Sequence, residues 1–366
     1  MAEQQRSVEG LVKKMLDFYR NKRVFVTGHT GFKGSWLCTM LIMAGASVTG
    51  YALPPVEPSL FKIAGLEQRI HSVQGDVRDL DLLWSAFKTA EPEIVFHLAA
   101  QPIVREGYHD PAGTYYTNVM GTVNILECVR RLGTVRSVVN VTTDKVYENR
   151  GWPWGYRETD RLNGFDPYAN SKSCSELVTD SYRNSFFAGT RTAVSTARAG
   201  NVIGGGDFAA DRIIPDCVRT VQAGHPIQVR NPASVRPYQH VLEPLSAYLL
   251  IARRQYEDAA LSGSYNVGPD SRDCLTTGEL ADLFCEVWGP PACWEHVSRQ
   301  DGPHEDTILK LDCAKVQSVL GWSPKWDAQR AVWETVAWTR AWLSGENIPA
   351  WTERQISAYF YESDIH

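Results

Sequence analysis

The sequence predicts an α/β protein in which a doubly wound parallel sheet is joined to a smaller mixed α/β C-terminal lobe. Three observations carry that prediction. A short apolar run, Arg23–Thr27, leads into a glycine-rich turn and then a helical segment. Further strand-length apolar runs alternate with helical stretches as far as Ala199, whereas beyond Asp211 the alternation loses its regularity. Strands separated by helices pair in parallel and place an active site at their carboxyl ends. The expected division is a helical extension over 1–20, a first domain over 21–200, and a substrate-binding lobe over 201–366 with segments that return to the first domain.

Length and composition narrow the class. A chain of 366 residues can bury one large core and a smaller lobe. The net charge of −5 argues against a general nucleic-acid binder, while leaving room for a local basic pocket. No apolar run approaches the roughly 20 residues that span a bilayer, and Met1 to Arg20 lacks the apolar centre of a signal peptide. Eight cysteines are scattered without a Cys-x-x-Cys pair, and no histidines stand at metal-ligand spacing. They are read as reduced thiols of a cytoplasmic protein that uses no metal.

Taken in order, Leu11, Met15 and Phe18 fall at helical spacing and predict a short amphipathic helix. The run Arg23–Thr27 then ends in Gly28-His29-Thr30-Gly31-Phe32-Lys33-Gly34, and the helix is expected over Ser35 to Ile42. Glycines at this place permit a tight turn and let backbone N–H groups and the helix N-terminus face a pyrophosphate, the signature of a dinucleotide-binding Rossmann sheet. Gly28, Thr30, Gly31, Phe32, Lys33 and Gly34 are therefore cofactor candidates. The second strand, Ala46 to Tyr51, runs into Ala52-Leu53-Pro54-Pro55 without the acid that grips the adenosine ribose in NAD. No arginine follows it to take a 2′-phosphate, which favours NAD over NADP.

Asp76 and Val77, after a third short strand, are placed against the adenine; the competing role for Asp76 is to cap the helix over 80–90. Ile94 to Ala100 is a buried strand ending in small residues, so Leu98, Ala99 and Ala100 join the cofactor set. Gln101 and Arg105 beyond it are assigned to substrate. A helix over Pro111 to Leu132 contains Asn118, a further cofactor candidate. Ser137 to Thr143 is the next buried strand, and Asp144 and Lys145 stand at its carboxyl end.

Tyr168 and Lys172 lie four apart where a helix, expected from about Ser171 to Phe187, is about to begin. On a helix that spacing puts both on one face, and an ammonium beside a phenol favours the phenolate, a base suited to oxidising an alcohol. The combination of Gly28-x-x-Gly31-x-x-Gly34, Thr143 at a strand end and Tyr168-x-x-x-Lys172 resembles the sugar-nucleotide branch of the extended short-chain dehydrogenase/reductase family. Asp144 and Lys145 after the threonine, together with Trp152–Glu158, Arg198–Asp207 and Arg236–Val241, make the chain similar to its 4,6-dehydratases from about residue 15 onward.

That resemblance implies a hydro-lyase with recycled NAD, a CDP-linked glucose as substrate, and a homodimer paired through the helices after Pro111 and after Tyr168. It implies Tyr168 as the base for the C4 hydroxyl, Thr143 as its hydrogen-bond partner and Lys172 on the nicotinamide ribose. Asp144 is the acid for the departing C6 hydroxyl. Lys145, where relatives acting on dTDP-glucose have a glutamate, is the base for C5 or an electrostatic anchor. Asn201, Arg212, Arg236 and His304 are the substrate candidates of the second half, since arginine binds phosphate oxygens with paired donors. The open alternatives are a 4,6-dehydratase for dTDP-, UDP- or GDP-sugars, a sugar-nucleotide 4-epimerase and an NAD-sensing regulatory protein. An epimerase has no use for Asp144 and Lys145, and a sensor has no use for Tyr168 and Lys172.

Overall fold

The computed structural model describes residues 16–297 and 308–361. Leu11 and Met15 of the expected N-terminal helix and the substrate candidate His304 lie outside those residues.

The central sheet has seven parallel strands in the order β11-β6-β5-β4-β1-β2-β3. They are β1 (Arg23–Thr27), β2 (Ser47–Ala52), β3 (His71–Gln74), β4 (Ile94–His97), β5 (Ser137–Val141), β6 (Ala193–Arg198) and β11 (Ser264–Asn266). Side chains alternate across each strand. Val24 and Val26 of β1 therefore enter one core, with Trp36, Leu41 and Tyr248, while Phe25 enters the other, with Phe87, Ile125 and Val129. Helices α1 (Phe32–Met43) and α2 (Leu80–Ala90) pack on opposite faces in this way. A parallel sheet covered on both faces explains why its strands read as continuous apolar runs.

Several boundaries differ from expectation for local reasons. α1 begins at Phe32, directly after its N-cap Gly31. The helix over 80–90 is capped by Asp79, whose carboxylate accepts from the Leu82 N–H at 3.0 Å, so Asp76 is not its cap. The stretch from Pro111 is a helical turn to Tyr115, a π turn over Tyr116–Met120, then α3 (Gly121–Leu132), closed by Gly133 in the left-handed region. α4 runs over Pro167–Tyr182, earlier than expected, because Asp166 caps it by accepting from the Ala169 N–H and Pro167 fits the first turn. Tyr168 and Lys172 are thus both helical.

The lobe holds β7 (Val202–Ile203), α5 (Ile213–Gln222), β8 (Ile227–Val229), β9 (Val235–Arg236), β10 (Gln239–His240), β12 (Leu275–Thr276), α7 (Thr277–Trp288) and β13 (Trp294–His296). Its core gathers Ile214, Val229, Leu280, Phe284 and Val332. The intervening α6 (Leu242–Glu257) and β11 belong to the main sheet layer, as does α8 (Ala328–Leu343) in part, through Trp338. The triple glycine Gly204–Gly206 is buried in packing: a Cβ on Gly205 would stand 2.1 Å from the Trp338 ring, and the Gly205 carbonyl accepts from the Trp36 indole at 2.9 Å.

A buried ion pair ties β5, β6 and α4 together. Arg198 donates to Glu176 at 2.8 Å and to the Tyr147 hydroxyl at 2.8 Å, and the Glu176 carboxylate also accepts from Thr142 and Thr196. Burial pushes the Glu176 carboxyl up, but Arg198 and the two threonines override it and hold it below the ordinary glutamate value. Arg198→Ala should cost about 3–5 kcal/mol, because removing one partner of a buried pair strands the other charge. Urea unfolding checks this, and a loss under about 1 kcal/mol would contradict the assignment of the pair as a structural clamp.

Candidate active site

A cleft of about 1200 Å³ opens along the carboxyl ends of the strands and continues between the sheet and the lobe. It exceeds the ~300–1,000 Å³ of a single small-molecule site, so it has room for two ligands end to end. Its wall includes Gly28, Thr30, Gly31, Phe32, Lys33, Gly34, Asp76, Val77, Leu98, Ala99 and Ala100 at one end and Thr143, Asp144, Lys145, Tyr168 and Lys172 in the middle. Asn201, Arg105, Arg212 and Arg236 line the lobe side.

Two of the expected residues stand behind the wall. The Asn118 side chain, buried in the π turn, accepts from the Gln101 N–H at 2.8 Å and donates to the Ser171 hydroxyl at 2.8 Å. The Gln101 amide in turn donates to Thr114. These two residues brace the β4 loop against α4. π turns are frequent at functional sites, and this one carries Asn118 between the β4 loop and α4.

The glycine turn passes a physical test for a dinucleotide. Gly28 has φ +74, and a Cβ on it would stand 2.8 Å from the Ala99 backbone nitrogen. A Cβ on Gly34 would stand 2.2 Å from the Gly28 carbonyl oxygen. The N-cap Gly31 offers no side-chain acceptor and the first turn of α1 holds no acid, so its unpaired N–H groups face the cleft open to an anion. The Asp76 carboxylate is held by Arg78 at 2.6 and 2.9 Å, and that guanidinium keeps it below the ordinary carboxylate value. His29, within the turn, points away: its ring meets Ser72 at 2.7 Å and fills the space that Gly50 leaves beside it, and burial lowers it to about 4.

In the middle of the cleft the chemistry is set by burial. Thr143 caps a short turn over Asp144–Val146 and donates to the Asp144 carboxylate at 3.0 Å. Asp144 is 1% exposed and its other oxygen has no partner among the described residues. Burial raises its carboxyl above the ordinary aspartate value, against the opposing pull of Lys145, Thr143, Arg236 and Lys33. Asp144 is therefore more readily protonated than a free aspartate. Gly200 lies directly against it: a Cβ there would stand 1.9 Å from the Asp144 carboxylate oxygen.

The tyrosine and lysine differ from expectation in their electrostatics. Burial pushes the Tyr168 phenol up to about 12, with the neighbouring Thr143 hydroxyl and Arg212 lowering it and Asp144 and Asp166 raising it. Lys172 is buried, donates to the Val141 carbonyl at 3.0 Å, and is lowered to about 8 by burial. Its ammonium is thus turned to the end of β5, and the protein alone does not make Tyr168 a ready phenolate. A third amine, Lys33 of the glycine turn, is lowered to about 8 by burial and by Arg212 and Lys172. Lys145 is half-buried and lines the cleft beside Asp144.

On the lobe side, Arg212 pairs with Asp207 at 2.9 Å and Arg105 with Asp211 at 2.9 Å, the latter bridging the β4 loop and the lobe. Arg236 is buried and donates to the Val235 carbonyl. Asn201 sits at φ +45, a strained conformation for a non-glycine residue of the kind that clusters at functional sites. The sequence presents Arg198, Gly200 and Asp207 only as parts of the Arg198–Asp207 motif, with no role given to any of them or to Glu176. Gly200 follows the strand end in a glycine-bearing loop, but only the fold reveals that the missing Cβ makes room for Asp144.

Comparison with known proteins agrees with this layout. A family model described as GDP-mannose 4,6 dehydratase matches residues 25–335. A CDP-glucose 4,6-dehydratase of Salmonella typhimurium is 48% identical over 350 residues, covering 94% of this chain and 97% of that protein. A dTDP-glucose 4,6-dehydratase of Mycolicibacterium smegmatis is 29% identical, covering 87% and 93%. Among solved structures, the dTDP-glucose 4,6-dehydratase DesIV from Streptomyces venezuelae superposes with a TM-score of 0.75 at 24% identity, covering 88% of this chain and 98% of that one. A UDP-glucose 4-epimerase of Thermotoga maritima does so with 0.76 at 23%, covering 87% and 99%. Likenesses at that identity speak for the fold, whereas the family match and the 48% relative speak for the lineage. With its glycine turn, its Tyr168-x-x-x-Lys172 helix and a match spanning most of its length, the chain belongs to the GDP-mannose 4,6-dehydratase family of the extended short-chain dehydrogenase/reductases.

Proposed function

We propose that the protein is a hydro-lyase that uses NAD to convert CDP-glucose into CDP-4-keto-6-deoxyglucose and water. The observation that carries the reaction is Asp144, a buried carboxyl that burial makes easier to protonate than a free aspartate, set beside Thr143 within the same cleft as Tyr168. A simple oxidoreductase or epimerase acting at C4 has no task for such an acid. The nucleotide follows from the 48% relative named for CDP-glucose.

In this reading Gly28, Gly31 and Gly34 admit the pyrophosphate of NAD to the N-terminus of α1, and Asp76 and Val77 take the adenosine end. Lys172 reaches the nicotinamide ribose. When bound, NAD would supply a hydride acceptor for C4, a hydride donor for C6 and a positive charge that favours the phenolate of Tyr168. Tyr168 takes the proton of the C4 hydroxyl, which Thr143 holds by a hydrogen bond. Lys145 removes the proton from C5, made acidic by the neighbouring ketone, and Asp144 gives its proton to the leaving C6 hydroxyl. Arg212 and Arg236 hold the diphosphate. As hydride returned to C6, Lys145 would give its proton back to C5, and the proton held by Tyr168 would restore Asp144, so that the sum is loss of one water.

A panel of CDP-, dTDP-, UDP- and GDP-glucose, assayed by the alkaline ultraviolet absorbance of the keto sugar, tests this. CDP-glucose should give the highest kcat/KM; no keto-deoxy product from any of the four overturns the dehydratase reading.

The same reading makes the protein a homodimer. Tyr116 and Met120 on the helix after Pro111, and Leu177 and Phe186 on and just after α4, are exposed apolar side chains of neighbouring helices. Such a face is buried when two copies pair through these helices. Sedimentation at micromolar concentration should give twice the chain mass, and a single monomeric species would rule this assembly out.

A further inference from the structure

The lobe side of the cleft carries one acid that the reaction leaves without a task. With the reacting sugar at Thr143 and Tyr168 and the diphosphate at Arg212 and Arg236, the nucleotide base must lie beyond them. The lobe-side wall of the cleft includes Pro226, Gln228, Val229 and Val297 on and beside the paired strands β8 and β13, and Glu295 of β13. Glu295 stands in register with Gln228, and both are exposed to the cleft.

The other acids of the lobe side of the cleft are already engaged. Asp207 holds Arg212, Asp211 holds Arg105, and Asp216 holds Arg219. The Glu295 carboxylate has no hydrogen bond or ion pair among the described residues. An unengaged carboxylate at the base end of a nucleotide cleft is an acceptor in search of a donor. Cytosine presents an amino group at its C4 position, which a carboxylate accepts from; thymine presents a carbonyl oxygen there, and uracil has the same 4-oxo group. A carboxylate meeting that oxygen brings two acceptors together, with nothing to repay the lost hydration of the charge. The Gln228 amide carries both a donor and an acceptor, so it can serve either kind of base and does not discriminate.

We propose that Glu295 is the specificity-determining residue for the nucleotide base, accepting from the cytosine amino group and disfavouring uracil and thymine. The assignment rests on the reading of the substrate as a CDP-sugar. Glu295 acts on binding from β13 of the lobe, whereas the groups that break bonds stand after β5 and on α4, so its effect appears in KM while kcat at saturation stays near the starting value.

The test compares the starting protein with Glu295→Gln and Glu295→Ala, using CDP-glucose and UDP-glucose as the two substrates. An exposed strand residue can be replaced without loss of the fold, which far-ultraviolet circular dichroism checks. The ratio of kcat/KM for CDP-glucose over UDP-glucose should fall by about tenfold or more in both variants, the range expected for one base-edge hydrogen-bond pair. The fall should come from KM. An unchanged ratio in both variants, with the starting protein still preferring CDP-glucose, overturns the role of Glu295 and leaves the CDP reading intact. A starting protein that prefers UDP-glucose overturns the CDP reading itself, and this assignment with it.

Discussion

Asp144→Asn is expected to stop the reaction after its first half. The amide cannot give a proton to the leaving C6 hydroxyl, so turnover should fall by about 10²–10⁴. Oxidation at C4 needs only Tyr168, Thr143 and Lys172, so reduced nicotinamide should accumulate on mixing with substrate instead of appearing only transiently. Stopped-flow absorbance of the reduced cofactor reads this directly. Gly200→Ala should show the same split, because its Cβ would stand 1.9 Å from the Asp144 carboxylate oxygen and must push it aside. A variant that loses the oxidation step along with turnover would show Asp144 to be part of C4 chemistry, and full turnover in Asp144→Asn would remove it from the mechanism.

Tyr168→Phe should abolish the first half as well, with no reduced cofactor formed and a comparable loss of about 10²–10⁴ in turnover. The pH dependence follows from the direction of its shift. A base works as its deprotonated form, and the phenol is pushed up to about 12 by burial in the protein alone. Below that value the phenolate fraction falls tenfold per pH unit. A difference titration of tyrosinate absorbance between the starting protein and Tyr168→Phe should therefore show one phenol ionising near 12 without cofactor, and at a lower pH once NAD is added. The same midpoint with and without NAD would mean that the cofactor's charge does not reach Tyr168, and the assignment of Tyr168 as the working base would fail. Lys172 sets the opposite constraint. Burial lowers it to about 8, so its ammonium is lost as pH rises through that value, and its grip on a ribose weakens on the alkaline side.

Much of this was legible in the residues themselves. Continuous apolar runs such as Ile94–His97 and Ser137–Val141 could be nothing but doubly covered strands, and the glycine turn after β1 announced the ligand they support. The helix with Tyr168 and Lys172 was legible as well, although its start was placed late, since the capping action of Asp166 depends on a backbone turn that periodicity does not reveal. What escaped were relations between distant segments. Gln101 and Asn118 have the residue types of ligand contacts, and only the fold shows that the Asn118 amide bonds the Gln101 backbone and Ser171 while the Gln101 amide bonds Thr114. The expectation that Lys172 readies Tyr168 rested on spacing alone. Spacing gives a shared helical face, but burial and the direction of the Lys172 ammonium decide the charge. Lys33 illustrates the reverse. It reads as part of a phosphate turn, and its depressed ammonium becomes visible only with Arg212 and Lys172 around it.

One feature of the sheet bears on how the chain reaches this state. β11 pairs in parallel with β6, yet the chain leaves the sheet after Arg198 and builds β7 to β10 before α6 leads back to Ser264. The edge strand is therefore a return journey, and its pairing closes a long loop whose entropy must be met before the contact repays it. Folding of the sheet cannot be completed by the first half of the chain during synthesis. Asn266 of that late strand accepts from the Tyr147 hydroxyl at 2.6 Å, and Tyr147 in turn accepts from Arg198. The ribosome must thus release well over half of the protein before the clamp beside β5 can be made whole.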